Sequence, residues 1–203
     1  MKNTLLLLPL LLLPLAGCDD VEDGHDHDHD HGAITTVTLS FAPQGGGDSV
    51  EFTWSDPELD GSPDADDIVL MDADDYDVSV SFLNGQEDPA EDVTSDIADQ
   101  DSEHQIFFTG SGVQGPATGS NAAAVVEHAY ADADAGDLPV GLENSITTAA
   151  VGDGEVMVTL RHMPPENDEP VKVEGIAGVV ADGGFAAIGG GNDVQVTFNI
   201  EVQ

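Results

Sequence analysis

The chain has 203 residues, of which 41 are Asp or Glu and only 3 are Lys or Arg, so its formal net charge is −38. Such a charge repels polyanions, which excludes nucleic acids as partners and disfavours anionic membrane surfaces and acidic substrates. The hydrophobic share of 40% favours a folded core over a disordered chain, and the length is typical of a single domain.

Residues 1–17 have the form of an export signal. A positively charged start precedes an apolar run over residues 5–15, which is too short to span a bilayer. The run ends in Leu15-Ala16-Gly17-Cys18, which resembles the lipobox of bacterial lipoprotein signal peptides, where the bond before the cysteine is cut and the thiol is lipidated. We therefore predict a lipoprotein signal peptide over 1–17, lipidation at Cys18, and anchoring to a bacterial membrane in the cell envelope, periplasmic or surface-facing.

A histidine–aspartate tract dominates residues 18–33, which we predict to be a flexible arm. In this His/Asp tract four histidines alternate with three aspartates: His25, Asp26, His27, Asp28, His29, Asp30 and His31. In an extended chain, alternate side chains point the same way, so the imidazoles line one side and the carboxylates the other. Imidazole nitrogen binds zinc and copper, and carboxylates favour the approach of a divalent cation. The tract predicts transition-metal binding; the alternative is a polar spacer that holds the domain off the membrane.

Residues 34–203 predict an all-β domain. Val37, Leu39 and Phe41 alternate with polar residues, and Val50, Phe52 and Trp54 repeat the pattern after a turn, so both sets are expected to face the core. Further strands are predicted over residues 68–71, 76–83, 105–109, 123–130, 145–149, 155–162 and 194–202. Many short strands separated by Gly, Pro and Asp turns favour an immunoglobulin-like antiparallel β-sandwich.

Two segments depart from the strand pattern. Residues 91–100 predict a short helical turn, because Val93 and Ile97 lie four apart. Residues 175–191 are rich in Gly and Ala and are expected to form a long loop or a weak extra hairpin. The aromatic residues expected to anchor the core are Phe52, Trp54, Phe82, Phe107, Phe108 and Phe198.

Acidic loops raise the question of calcium. Asp132, Asp134 and Asp137, followed by Glu143, resemble an EF-hand loop and offer oxygen ligands of the kind that calcium takes. Gly136 and Asp137 occupy each other's expected places, however, and no flanking helices are predicted. Residues 56–67 are equally acidic. We treat Asp132, Asp134, Asp137 and Glu143 as candidate calcium ligands; the alternative is that these carboxylates form a solvated acidic surface.

Catalytic motifs are lacking in the sequence. Cys18 is the only cysteine, no Gly-x-Ser-x-Gly elbow occurs, and no phosphate-binding loop with its lysine is present. His104, His128 and His162 lie on predicted strands or at their ends, where isolated histidines are commonly surface or hydrogen-bonded core residues; a second metal site is the alternative. We predict that the protein is not an enzyme.

Several stretches resemble a family of uncharacterised bacterial lipoproteins that carry a His/Asp-rich arm before a β-sandwich body. The matching stretches are residues 34–37, 84–94, 103–108, 138–142, 160–162 and 193–198. The resemblance implies the arm and the sandwich but no established activity. Members are sometimes labelled with the type 1 periplasmic binding fold, which is α/β and larger than this chain, so the label does not indicate the architecture.

Together these patterns predict a lipid-anchored cell-envelope protein that binds zinc or copper through the His/Asp tract. The bound metal would be buffered or handed over to an envelope metal transporter. The alternative function is that of a structural or adhesive acidic surface lipoprotein, in which the tract is only a spacer. The two differ in whether zinc starvation or copper stress induces expression.

Overall fold

The structure is a computed structural model that describes residues 32–203. The predicted signal peptide (1–17) and nearly all of the predicted arm (18–33) lie outside these residues. Within them the chain forms twelve strands: β1 (Thr36–Pro43), β2 (Val50–Ser55), β3 (Asp64–Ala65), β4 (Ile68–Leu70), β5 (Asp75–Asn84), β6 (Glu91–Asp92), β7 (His104–Thr109), β8 (Val113–Gln114), β9 (Val126–Tyr130), β10 (Glu143–Thr148), β11 (Gly152–His162) and β12 (Gly191–Val202). The helices are α1 (Thr94–Asp99) and α2 (Ile176–Gly183), and a 3-10 turn covers Phe185–Ala187.

The strands form two sheets. The larger sheet has the order β3-β2-β1-β5-β10-β9-β8, with β6 paired to β5, and the smaller sheet has the order β4-β12-β11-β7. Most neighbouring strands are antiparallel, as expected, whereas β4 pairs with β12 and β8 pairs with β9 in parallel. The all-β sandwich is confirmed, whereas its immunoglobulin-like character stays a prediction.

Alternation along the strands builds the main core between the sheets. In β1 every second residue is buried, among them Val37, Leu39 and Phe41, and β12 repeats this with Phe198 and Ile200. Burying one face of each strand requires this period of two, because successive side chains point to opposite faces of a sheet. The main core cluster therefore takes residues from both sheets.

The predicted aromatic anchors are buried with one exception. Phe52, Phe82, Phe107, Phe108 and Phe198 are buried, whereas Trp54 is half-buried and packs against the main cluster. Val50 was expected to face the core, and this is wrong: it is 52% exposed. Val50 is the first residue of β2 and follows the turn, so it lies where the strand enters the sandwich.

The helical segments differ from the sequence-based expectation in one case. The predicted turn over residues 91–100 is confirmed by α1, whose Ile97 is buried. The expectation of a loop or hairpin over residues 175–191 is wrong, because α2 and the 3-10 turn occupy most of it. Ile176, Ala177 and Val180 form the buried side of α2, a spacing that matches one face of a helix. No helix within residues 32–203 is long and apolar enough to cross a membrane.

Candidate functional site

The residues on which the functional prediction depends most are not among those described. Cys18 and the His/Asp tract (residues 25–31) both precede residue 32, where the described chain begins. Lipidation at Cys18 and metal binding by the tract therefore stay predictions. The other candidate residues can be placed.

Asp132 organises the loop between β9 and β10. Its Oδ1 accepts a hydrogen bond from the N–H of Gly141 at 2.7 Å, and its Oδ2 accepts from the N–H groups of Leu142 at 2.7 Å and Glu143 at 2.9 Å. Burial raises the pKa of the Glu143 carboxyl, and the negative charges of Asp132 and Asp77 raise it further. The structure thus brings Asp132 and Glu143 together, but Asp132 is engaged with backbone donors.

Asp134, in the same loop, forms a buried ion pair with Lys172, which lies between β11 and α2. Its Oδ2 lies 2.9 Å from Lys172 Nζ, and the side chains are 4% and 0% exposed. Its Oδ1 accepts from the N–H groups of Gly136 at 2.8 Å and Leu138 at 2.9 Å. Burial acts to raise the pKa of Asp134, but the hydrogen bonds from Leu138, Lys172 and Gly136 outweigh it, so the pKa lies below its ordinary value. Lys172 Nζ also donates to the carbonyl oxygen of Asp101 at 2.6 Å.

The four candidate calcium ligands therefore have different surroundings. Asp137 is exposed and has φ 63°, and its N–H donates to the carbonyl oxygen of Asp134 at 3.0 Å. Across residues 32–203 no group of three or more His, Cys, Asp or Glu side chains is arranged to hold a metal ion. A calcium ion would compete with backbone N–H groups for Asp132 and with Lys172 for Asp134, and calcium binding at these residues stays a prediction.

The acidic segment over residues 56–67 also satisfies its own backbone. Asp56 is buried and accepts from the N–H groups of Asp60 at 3.2 Å and Gly61 at 3.0 Å. Asp66 Oδ2 accepts a hydrogen bond from the N–H of Thr53 at 2.9 Å. This bond lies just beyond the two residues of β3 that pair with β2. Carboxylates in this segment therefore stabilise turns and a sheet edge.

Both basic residues of the described chain are removed from the surface. Arg161 is 8% exposed and Lys172 is 2% exposed. Arg161 donates from Nε to the carbonyl oxygen of Gly189 at 2.9 Å, from Nη2 to those of Ile188 at 3.2 Å and Gly190 at 2.8 Å, and from Nη1 to Asn192 Oδ1 at 2.6 Å. From residue 32 onward the exposed surface thus carries carboxylates with no exposed Lys or Arg to offset them.

His128 lies in the interior between the two sheets. Its Nε2 is 2.9 Å from Asn144 Oδ1, and its ring stacks on Phe108 with centroids 4.4 Å apart and meets Tyr130 edge-on at 4.8 Å. Burial lowers the pKa of His128 to about 4, against the smaller opposing effects of the Asn144 hydrogen bond and the negative charge of Asp132. His128 is therefore a neutral, hydrogen-bonded residue of the interior at neutral pH.

His104 and His162 are in contact, which the sequence did not predict. They lie far apart in the chain, but the register of β7 and β11 places them opposite each other, and their rings stack. Only knowledge of the strand pairing could have identified this pair. Lys172 and Asp134 both lie in connections between elements, so only the tertiary fold brings them together; the one signal in the sequence is that Lys172 is one of only three Lys or Arg residues in the whole chain.

Compared with known proteins, the chain matches no family model, no curated protein and no solved structure. Over residues 32–203 the protein belongs to the class of two-sheet β-sandwiches. Its surface is acidic, and both of the basic residues in this range, Arg161 and Lys172, are buried. The resemblance to uncharacterised lipoproteins stays a prediction.

Proposed function

We propose that the protein is anchored to a bacterial cell envelope through a lipid on Cys18 and binds zinc or copper through the His/Asp tract, for buffering or for hand-over to an envelope metal transporter. The observation that carries the proposal is the strict alternation of four imidazoles with three carboxylates in residues 25–31. Neutral imidazole is a good ligand for both metals, and the carboxylates offset the charge of the incoming ion.

The charge of the sandwich supports this proposal. Because Arg161 and Lys172 are buried, the described surface has no exposed basic side chain, and its carboxylates produce a negative potential that attracts cations. Such a field raises the local concentration of divalent ions near the protein. In this function the sandwich is a scaffold and a docking surface, with no catalytic role.

Metal binding is tested by titrating the full chain with zinc and with copper in a calorimeter. We expect stoichiometric binding that is lost when His25, His27, His29 and His31 are all replaced by serine. A matched variant replaces Asp26, Asp28 and Asp30 by asparagine, which keeps the imidazoles and should weaken binding without abolishing it. Undiminished binding by the histidine-free variant would show that the tract is not the site.

Anchoring and physiological role are tested separately. Cys18→Ser should release the protein from the membrane fraction, and a protein that stays in that fraction would contradict lipidation at Cys18. Expression should rise under zinc starvation or copper stress. A chain that is anchored, binds neither metal and shows no such response would instead be the structural or adhesive surface lipoprotein, with the tract as a spacer.

A further inference from the structure

The outer side of β4 has no strand partner within the described part of the chain. β4 pairs in parallel with β12 and ends the order β4-β12-β11-β7. Just after it, the N–H of Gln203 donates to the carbonyl oxygen of Leu70 at 3.0 Å, and the N–H of Asp72 donates to that of Gln203 at 2.9 Å. Alternate residues bond to the neighbour in a parallel pair. Leu70 therefore bonds to β12, and Val69 directs its N–H and C=O to the open side.

The opposite edge of the same sheet is closed. On β7, the N–H of Ile106 donates to the carbonyl oxygen of Val140 at 2.7 Å, and the carbonyl oxygen of Ile106 accepts from the Tyr130 hydroxyl at 3.0 Å. An edge without such contacts is a template for pairing with another chain. The two edges of the smaller sheet thus differ, and β4 is the one that another chain can extend.

Apolar side chains are exposed at this edge. Val69 is 43% exposed and Met71 is 59% exposed, whereas Ile68 and Leu70, between and beside them, are buried in the main core. Single exposed apolar residues are common on protein surfaces, but these two lie two positions apart along one edge. In an added strand, residues two positions apart face the same side of the sheet, so two of its apolar side chains can pack on Val69 and Met71.

Carboxylates flank the apolar edge on both sides in the chain. The flanking residues are all exposed aspartates: Asp66, Asp67, Asp72, Asp74 and Asp75. Asp66 accepts from the backbone N–H of Thr53 and Asp67 from the side-chain amide of Asn199, and these neutral donors leave the negative charges in place. Arg161 and Lys172 are buried, so the surface of residues 32–203 supplies no Lys or Arg to neutralise this edge.

The negative charge continues on the sheet next to β4. The strand register places Val69 opposite Glu201 of β12, and Glu201 opposite Asp153 of β11. Asp67, Asp153 and Glu201, with Asn199, line a cavity of about 270 Å³, which is below the roughly 300–1,000 Å³ of pockets that hold small molecules. This cavity suits one long basic side chain better than a separate ligand.

We propose that the open edge of β4 binds an extended segment of a basic partner protein, with apolar residues at its centre and Lys or Arg at both ends. The segment adds a strand to the smaller sheet through main-chain hydrogen bonds with Val69. Its apolar side chains pack on Val69 and Met71, and its cations contact the flanking aspartates. A second copy of this chain is a poor occupant, because it would place like charges opposite each other. The inference does not depend on metal binding by the His/Asp tract.

The probe is a fluorescent peptide with lysines at both ends and alternating valine and threonine between them, titrated into the full chain without added metal. Fluorescence anisotropy should show saturable binding, and the Val69 amide should gain protection against hydrogen exchange. The same peptide with N-methylated backbone amides keeps its charge but loses its donors, so it should bind about tenfold more weakly, the equivalent of one hydrogen bond. Equal binding of the two peptides would overturn the proposal, because attraction between charges would then explain it.

Val69→Pro tests the edge itself. It removes the outward N–H and places a ring on the open side, while the bonds of Leu70 to β12 remain, and edge strands accept proline. We expect this variant to bind the peptide about tenfold more weakly. Val69→Thr keeps the N–H and the branched side chain, so it is the matched control and should retain binding. Unchanged binding by Val69→Pro would overturn the proposal. So would a dimer of the unaltered chain that Val69→Pro abolishes, because a second copy would then be the occupant.

The flanking charges are tested without altering the backbone. Asp72→Asn/Asp74→Asn should weaken peptide binding and reduce its dependence on salt, because fewer charges are left to screen. Glu166→Gln/Glu169→Gln removes the same charge from exposed positions between β11 and α2 and should leave binding unchanged. Equal weakening by both double variants would overturn the proposal. The chain with serine at all four tract histidines should bind the peptide as the unaltered chain does, which keeps this result separate from the test of metal binding; loss of peptide binding there would place the site on the tract and overturn the proposal.

Discussion

The two apolar clusters of the sandwich lie on opposite faces of the smaller sheet and are built differently. Phe108 on β7 belongs to the main cluster between the sheets, and its neighbour Phe107 belongs to a smaller cluster on the other face. The smaller cluster is completed by Ala117, Met163, Ile176, Ala177 and Val180. The main cluster is enclosed by two hydrogen-bonded sheets, whereas the smaller one is covered by α2 and its connections.

Arg161 and Lys172 are the two basic residues within residues 32–203, and both hold segments next to α2 over the smaller cluster. Arg161 binds the carbonyl oxygens of residues 188–190 after α2, and its guanidinium carbon lies 5.7 Å from the ring centroid of Phe185. Lys172 fixes the segment before α2 to Asp134 and Asp101. The comparison teaches that alternating apolar strands suffice where two sheets face each other. A cover without strand pairing depends on polar anchors, and in this acidic chain those anchors are its scarce cations.

The largest expected effect is in the main cluster. Phe108→Ala removes a fully buried ring and should lower the free energy of unfolding by about 4 kcal/mol, through lost burial and the cavity left behind. Phe107→Ala on the same strand should cost less, because its cover can collapse or open locally. Denaturant unfolding gives both values, and hydrogen exchange should show α2 amides losing protection in Phe107→Ala alone. Equal global losses with no local opening would show that the two clusters form one cooperative unit.

The part of the fold that could be predicted is the part that apolar patterning encodes. Each of the nine predicted strands corresponds to an observed strand. Most of them alternate in burial, as β5 and β12 do, whereas β7 is buried on both faces and is recognised as a short apolar run. The strands β3, β6 and β8 have two residues each, too few to show a period. Helix α2 was missed because its Gly residues are poor helix formers, and its helical state depends on burying Ile176 and Val180 against Phe107.

The candidate sites also differ in whether the sequence alone could predict them. Cys18 and the His/Asp tract are contiguous in the sequence, so spacing alone suffices to predict their chemistry. The Asp134–Lys172 pair and the His104–His162 stack are formed by tertiary contacts and by strand register, which local spacing does not encode. Asp132 and Asp134 could be recognised as acidic loop residues, but not as acceptors of backbone hydrogen bonds.

Removing the cation that anchors the cover should have the next largest effect. Lys172→Met leaves Asp134 buried without its ion-pair partner and should lower the free energy of unfolding by about 3 kcal/mol, because an uncompensated buried charge is costly. The double variant Lys172→Met/Asp134→Asn removes that charge and should recover part of the loss. Thermal unfolding of the single and double variants measures the difference. A single variant as stable as the unaltered chain would show that the pair does not hold the cover.

Acid should weaken the main cluster through His128. In the unfolded chain His128 binds a proton near its ordinary pKa of 6.5, whereas in the folded protein its pKa is about 4. The unfolded state therefore holds more protons between these values, and stability falls as the pH decreases from about 6.5 to about 4, by about 2 to 3 kcal/mol for this group. His128→Gln has no titrating ring at this position. The unaltered chain should therefore lose its advantage in unfolding free energy over His128→Gln as the pH decreases from about 6.5 to about 4. A constant difference would contradict a neutral buried His128.

The smallest expected effect is that of Arg161→Lys, a change that separates the contribution of charge from that of hydrogen-bond geometry. Arg161→Lys keeps the positive charge but loses the planar fork that contacts three carbonyl oxygens and Asn192. A lysine ammonium at this position can replace only part of that set, so we expect a loss of about 1 to 2 kcal/mol. Exchange of α2 amides should rise while that of β12 amides near Phe198 stays unchanged, since Phe198 lies in the main cluster. If charge alone held the cover, Arg161→Lys would leave α2 exchange unaltered, and the distinction between a cluster enclosed by sheets and one anchored by directed hydrogen bonds would fail.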